Sequence, residues 1–234
     1  MGAIFRRELG SFFTSSIAYV FLFSFFITSG WIFYGSTVRS GTSDMSGFFT
    51  SLLLIVVILI PVLTMKSFSE EKKQKTDQGL LTAPISLTSI VLGKYFAVLV
   101  MYLIGVSIVL LYACILAVFG SVDWLMIISN YAALVIVGAA FIAVGVFISS
   151  LTENQAVAAI GGIVCLLVLY LLDLFANFLD TKYVSDVLNA LSFYNRYYEF
   201  TCGIFNLSSV LFYISTAVIF NFLTIRVFEK KRWS

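Results

Sequence analysis

The sequence predicts an all-α, polytopic membrane protein with six transmembrane helices. Three observations predict it. Of 234 residues, 61% are hydrophobic and only 11% are charged. The mean hydropathy is +1.04. The apolar residues gather into six long runs rather than spreading evenly. A soluble domain carries about 25% charged residues, so this chain has less than half the usual supply. No run shows the period-2 alternation of a transmembrane β-strand.

A helix needs roughly 20 mostly apolar residues to cross about 30 Å of hydrocarbon. The six runs are Ile17–Tyr34, Phe48–Met65, Tyr95–Phe119, Trp124–Ser149, Ala156–Leu174 and Val210–Val227. The third and fourth are longer than the minimum and should tilt or project. Pro61 should kink the second about one turn before the charged segment that follows. The first run exceeds a signal-peptide core and no small-x-small cleavage pattern follows Trp31, so an uncleaved span is expected.

Cations set the orientation. With the N-terminus cytoplasmic, the inner segments hold Arg6, Arg7, Lys66, Lys72, Lys73, Lys75, Lys94, Arg226, Lys230, Lys231 and Arg232, eleven of the fourteen Lys and Arg. The outer segments hold Arg39, Lys182 and Arg196. Both chain ends are therefore expected in the cytoplasm.

Residues 3–16 are too polar to cross. On a helical wheel Ile4, Phe5, Leu9, Phe12 and Phe13 share one half, Arg6, Arg7 and Gly10 the other, and Glu8 intrudes on the apolar half. This pattern fits a helix lying in the interface. Two readings are open: a simple positive-inside anchor, or an elbow helix that also meets a cytoplasmic partner.

Residues 66–89 form the most charged stretch of the chain. Lys66, Glu70, Glu71, Lys72, Lys73, Lys75 and Asp77 precede the less polar Leu80-Leu81-Thr82-Ala83-Pro84. A solvated loop is the ordinary reading of such a run. Opposite charges at helical spacing, as at Glu71 and Lys75, favour a short helix, and its apolar shoulder at Leu80-Leu81 suits docking on another protein.

The outer segment 175–209 begins polar and turns aromatic at Phe193-Tyr194-Asn195-Arg196-Tyr197-Tyr198, as interfacial segments do. It reads as a pair of short helices dipping into the outer leaflet. Ser185 is a candidate cap for one of them, and Asn206 a candidate cap for the sixth span.

Several kinds of chemistry are missing. With no histidine in the chain, Ser-His and Cys-His catalysis and His-ligated metals are excluded. A formal net charge of +2 does not fit a nucleic-acid reader. The span middles as read here carry no ionisable residue, which argues against a proton relay. Gly30 and Gly35 have the spacing of a phosphate-binding loop, but Ser36 stands where that loop needs lysine. No cofactor or metal is expected on this chain. Small residues four apart, Gly145 with Ser149 and Ala158 with Gly162, permit close helix packing within the chain or across a dimer seam.

The stretch Pro61-Val-Leu-Thr-Met65-Lys66-Ser-Phe68-Ser-Glu70-Glu71-Lys72, then Leu80 to Ser86 and Val91-Leu92-Gly93-Lys94-Tyr95, resembles permeases of the type-2 ABC exporter superfamily. Within it, the likeness is to short permeases of the gliding-motility and multidrug-export type. Gly145 to Ala156, Leu191-Ser192-Phe193 and the closing Arg226-Val-Phe-Glu229-Lys230-Lys231-Arg232-Trp233 also resemble that family, with Phe193 standing where proline is more usual.

The resemblance implies one transmembrane permease domain over residues 1–234. Residues 3–16, with Arg6, Arg7 and Glu8, would be the elbow helix. The 66–89 segment would couple to a separate ATP-binding subunit through Glu70, Glu71, Lys72, Leu80, Leu81 and Pro84. Phe193 to Asn206 would form re-entrant helices at the outer gate. Two ATP-binding subunits carrying ATP and Mg²⁺ would drive two permease chains, paired as a homodimer or heterodimer in the cell (plasma or inner) membrane. Spans two and five would line the path, which makes Ser51, Thr64, Asn154 and Gly161 candidate lining residues. A family gives architecture and energy source, not cargo. The reading from a different class is a stand-alone six-helix channel or a membrane scaffold.

Overall fold

Apolar runs without a polar face can only be stable where backbone groups are satisfied within the segment, which in lipid means helix. The computed structural model describes residues 1–76, 86–120, 122–178 and 182–233. Among them every regular element is helical. The helices are α1 (Gly2–Thr14), α2 (Ser16–Phe33), α3 (Ser46–Thr64), α4 (Lys66–Lys73), α5 (Leu87–Val106), α6 (Ile108–Phe119), α7 (Trp124–Leu151), α8 (Gln155–Tyr170), α9 (Leu172–Phe178), α10 (Lys182–Leu191), α11 (Phe193–Thr201) and α12 (Leu207–Trp233).

Among the described residues, five stretches are long and apolar enough to cross a membrane: Ser16–Val38, Ser46–Lys73, Leu87–Phe119, Trp124–Leu151 and Leu207–Arg232. The expected fifth span, Ala156–Leu174, is divided. Its apolar part is α8, of 16 residues, and the chain turns at Leu171 (φ −90°, ψ 7°) before α9. At 1.5 Å per residue α8 is about 24 Å long, short of the roughly 30 Å of hydrocarbon. The third span also differs from expectation. Its helix starts at Leu87 rather than Tyr95, which places Lys94 inside it.

α7 is the hub. Of its most apolar stretch 67% is buried, against 28% for the outermost spans, α2 and α12. α12 runs along it, and α3, α4, α5, α8 and α11 also pack on it. Small residues make these approaches possible. The Tyr102 hydroxyl donates to the Leu134 carbonyl at 2.8 Å, and its ring fills the space a Cβ on Gly138 would need. Thr64 does the same at Gly145, and Pro61 Cβ would lie 2.8 Å from a Cβ on Gly162. The small-residue spacings thus serve contacts within the chain: α3 sits in grooves made by glycines of α7 and α8. Pro61 itself lies inside α3, and the interruption between α3 and α4 falls one turn later, at Met65.

At the end of the bundle away from α4, α11 closes over α3 and α12. Ser192 caps it by accepting from the Asn195 N–H at 3.2 Å. Phe193 is its first residue, a position that proline also favours. That explains how phenylalanine and proline can occupy the same place in the motif. Ser185, expected as a cap, lies inside α10 instead. Asn206 does cap α12, its Oδ1 accepting from the Ser208 N–H at 3.0 Å. The Tyr197 hydroxyl donates to the Phe49 carbonyl at 3.1 Å, and the Tyr213 hydroxyl to the Phe193 carbonyl at 2.7 Å.

Gly138→Ala should lower stability by about 1–3 kcal/mol, the usual range for overpacking. Gly47→Ala, where an added methyl meets nothing within 4 Å, should not. Thermal unfolding of the purified protein in one detergent compares the two.

Candidate functional site: the charged junction of α1, α4 and α5

The two charges that fit their surroundings worst in the sequence meet in space. Lys94 lies seven residues into α5 and is 2% exposed, and Glu8 sits on the apolar half of α1. Ile4 of α1 seats against Gly93, where a Cβ would lie 3.0 Å from Ile4 Cγ2. That contact brings the α1 backbone close enough for Glu8 to reach Lys94.

The Lys94 ammonium has one hydrogen bond and two ion pairs here. Lys94 Nζ donates to the Ser67 carbonyl at 2.7 Å. It pairs with Glu71 Oε1 at 2.9 Å and with Glu8 Oε2 at 3.2 Å. The Phe68 ring lies 5.1 Å from the ammonium, within cation–π range. Arg7 completes the cluster, its Nη2 lying 2.6 Å from Glu8 Oε1 and 3.2 Å from Glu71 Oε1. The hydrogen bond to Glu8 is the main cause that raises the Arg7 guanidinium above its ordinary value, with the charges of Glu8 and Glu71 adding to it. Two cations and two carboxylates leave the junction neutral. Its partners come from three helices, and every tie except Arg7 with Glu8 joins one helix to another.

α4 is held from three further sides. The Ser149 hydroxyl of α7 accepts from the Phe68 and Ser69 N–H groups at 3.1 and 3.2 Å and donates to the Met65 carbonyl at 3.0 Å. It thereby satisfies two of the orphan donors that any helix start leaves. Lys72 donates to the Ser150 carbonyl. The Phe68 and Phe228 rings lie tilted at 44° with centroids 4.6 Å apart, which joins α4 to the C-terminal part of α12. Lys66 Nζ reaches the Ser15 hydroxyl between α1 and α2 at 3.4 Å and Glu70 at 3.1 Å.

The expected pairing along α4 is therefore corrected. Lys66 with Glu70 is its i,i+4 pair. Glu71 turns to Arg7 and Lys94 instead of Lys75, because Lys75 lies beyond the helix end with φ +57°. Leu80, Leu81 and Pro84 lie outside the described residues. Arg6 is exposed. Of the candidate path residues, Ser51 is exposed on α3, Asn154 caps α8 by accepting from the Ala156 N–H at 2.9 Å, and Gly161 is half-buried on α8. Thr64 is buried inside the chain against Gly145. In the sequence Lys94 reads as an inner cation and as part of the Val91–Tyr95 resemblance, not as a partner of Glu8; the signal that points to the pairing is two opposite charges, each misplaced on an apolar surface.

The sequence model of a family described as "ABC-2 family transporter protein" matches residues 3–233. The chain belongs to that family. No curated protein matches it. As an ABC-2 family member it is a multi-pass membrane permease component of an ABC transporter. The family consists of transmembrane subunits that work with ABC ATP-binding subunits. The family match covers the whole junction, from Arg7 and Glu8 through Glu71 to Lys94.

Removing one member of a buried charge cluster is strongly destabilising, because the partners stay buried and unpaired. Lys94→Met should lose about 3–5 kcal/mol. The neutral triple variant E8Q/E71Q/K94M should regain most of that loss. Denaturant unfolding of the four variants E8Q, E71Q, K94M and the triple would reveal the coupling as non-additivity.

Proposed function

We propose that the chain is the permease half of an ATP-driven exporter in the cell (plasma or inner) membrane, with both chain ends cytoplasmic. In this reading residues 66–89 dock on an ATP-binding subunit through Glu70, Lys72, Leu80, Leu81 and Pro84. The observation that carries it is the anchoring of α4. The first part of that segment is tied by charge to α1 and α5, and by hydrogen bonds and ring contacts to α7 and α12. A push on the segment has no slack helix to absorb it, so it must move the bundle. ATP and Mg²⁺ belong to the partner subunit and supply the energy. α1, with Arg6, Arg7 and Glu8, acts as the elbow that braces α4 from the lipid side.

A second permease chain covers the face on which α3 and α8 lie side by side. Leu54 and Ile58 of α3 and Val157, Ile160, Val164 and Val168 of α8 are all exposed there, at the spacing of one helical face. Ser51, Gly161 and Asn154 would line the path between the two copies. Thr64, which packs on Gly145, would support the wall from behind. α8, though short, completes a sixth crossing with α9, and α10 with α11 forms the re-entrant cap. Residues 1–234 act as one transmembrane domain.

Cys202, exposed in the turn after α11, offers a label at the outer end once Cys114 and Cys165 are replaced. In a reconstituted complex, spin labels at Cys202 should report an inter-protomer distance that changes when the ATPase is trapped with vanadate. L80S/L81S should lose the ATP-binding subunit on co-purification. E8Q/E71Q/K94M should keep the subunit and its ATP hydrolysis while the Cys202 distance stays fixed. A triple variant whose outer end still moves on trapping would sink the coupling role of the junction.

A further inference from the structure

A groove runs along the outside of the bundle where α5, α7 and α12 come together. Its volume is about 510 Å³, and its wall includes Leu92 and Phe96 of α5, Ala139 of α7, and Ala217, Phe222 and Ile225 of α12. Every lining residue belongs to one of these three helices, so the groove is separate from the face on which α3 and α8 lie side by side. We propose that it is a binding site for one anionic phospholipid, with an acyl chain along the floor and the phosphate on Arg226.

The polar side chains in the wall are turned back on the protein. The Tyr95 hydroxyl donates to the Ala139 carbonyl at 3.1 Å, the Tyr213 hydroxyl to the Phe193 carbonyl at 2.7 Å and the Asn221 amide to the Ala217 carbonyl at 2.8 Å. An occupant therefore meets mostly hydrocarbon, and a gap of this kind forfeits dispersion contacts unless something apolar fills it. Its shape selects what can. From Tyr213 to Ile225 the α12 wall rises about 18 Å, so the volume corresponds to a mean cross-section of roughly 30 Å². A helix about 10 Å across needs roughly 80 Å², so a partner's transmembrane helix is too wide to enter. A hydrocarbon chain, packing at about 4.0–4.5 Å from its neighbours, needs roughly 20 Å². The length also fits, because half of a roughly 30 Å hydrocarbon core is about 15 Å, the depth of one leaflet.

The independent observation is a cation at the mouth. Arg226 follows Ile225 at the end of the bundle where Phe228 meets Phe68 of α4. Its guanidinium carbon lies 4.8 Å from the centre of the Phe222 ring. Phe222 is exposed and stands in the groove wall, so the charge is held beside the opening. Glu229 Oε2 takes Arg226 Nη1 at 2.5 Å. Among the described residues the Nε and Nη2 groups of Arg226 make no hydrogen bond. A guanidinium carries five donors in a planar fork that suits phosphate, and long cationic side chains near helix ends reach out to the level of the lipid headgroups. Lys230, exposed one turn further along α12, adds a second positive charge and favours an anionic headgroup.

The probe is phosphatidylglycerol, titrated into the full chain in mild detergent and counted as adducts by native mass spectrometry, with diacylglycerol as the phosphate-free comparison. One phosphatidylglycerol should bind per chain with saturation, and diacylglycerol should bind more weakly. Ala217→Phe, which fills the floor, should abolish the adduct. Arg226→Gln should weaken phosphatidylglycerol about fivefold, the worth of one cation at a membrane surface, and leave diacylglycerol unchanged. Ile115→Phe, an exposed position on α6 outside the groove, should bind as the wild type does. Phosphatidylglycerol should also raise the melting temperature of the wild type and of I115F, and not of A217F. R226Q alters only an exposed side chain, so it tests the proposal even where A217F fails to fold. Adducts unchanged in A217F, or accumulating without saturation, would overturn the site. Unchanged binding by R226Q, or equal binding of the two lipids by the wild type, would overturn the placing of the phosphate on Arg226.

Discussion

Much of the end of the bundle that carries α4 depends on one ammonium group that has nowhere else to go. Lys94 is too far along α5 to reach water at the helix start, and charged groups within apolar surroundings must be paired. It donates to one backbone carbonyl and pairs with two carboxylates from two other helices. That requirement fixes α1 across the end of α5 and sets the rotation of α4 about its own axis, since Glu71 must face inward. A purely apolar contact could hold the same helices together. It would tolerate sliding, whereas a charge that must find its counter-charges specifies one register.

The central spans solve a different problem. In lipid, apolar surface gains little by leaving the solvent, so helices associate through close packing and a few internal hydrogen bonds. α7 is built for this, with Gly138 and Gly145 admitting Tyr102 and Thr64, and Ser149 bonding the start of α4. The same device recurs where Gly162 of α8 receives Pro61. α3 is therefore wedged between α7 and α8. A helix so placed cannot rotate alone, but it can tilt together with its neighbours.

The sequence was most legible where one physical rule dominates. Apolar length located most of the spans, and the helical period placed the apolar face of α1. It was less legible where two rules compete. Apolar run length counted Ala156–Leu174 as one span, but the backbone turns at Leu171, and no proline or glycine there announces it. Charge spacing along one segment paired Glu71 with Lys75, because sequence spacing knows only the element it belongs to. The real partners of Glu71 lie on α1 and α5. Glu8 is visible as an anomaly on its wheel, whereas Lys94 stands just outside the apolar run that begins at Tyr95. Starting the helix at Ser86, a good N-cap whose hydroxyl accepts from the Ser89 N–H, would have put Lys94 on an apolar helix. It would then have become the obvious counter-charge for Glu8.

The junction and the outer cap are joined by rods rather than by a chain of small adjustments. α7 has 28 residues and α12 has 27, so each is about 40 Å long. At one end, α7 holds α4 through Ser149 and Ser150, and α12 holds it through Phe228. Further along, α7 packs on α11 through Phe141, just past its own midpoint, and Phe193, with ring centroids 5.4 Å apart, while α12 donates the Tyr213 hydroxyl to the Phe193 carbonyl near its first turns. Both rods thus meet α11 at its first residue. A tilt imposed at α4 moves both rods, and a cap fastened to both has to follow. On the proposed coupling, the outer gate therefore needs no sensor of its own. The helix that closes it is attached to the two elements that the inner junction moves.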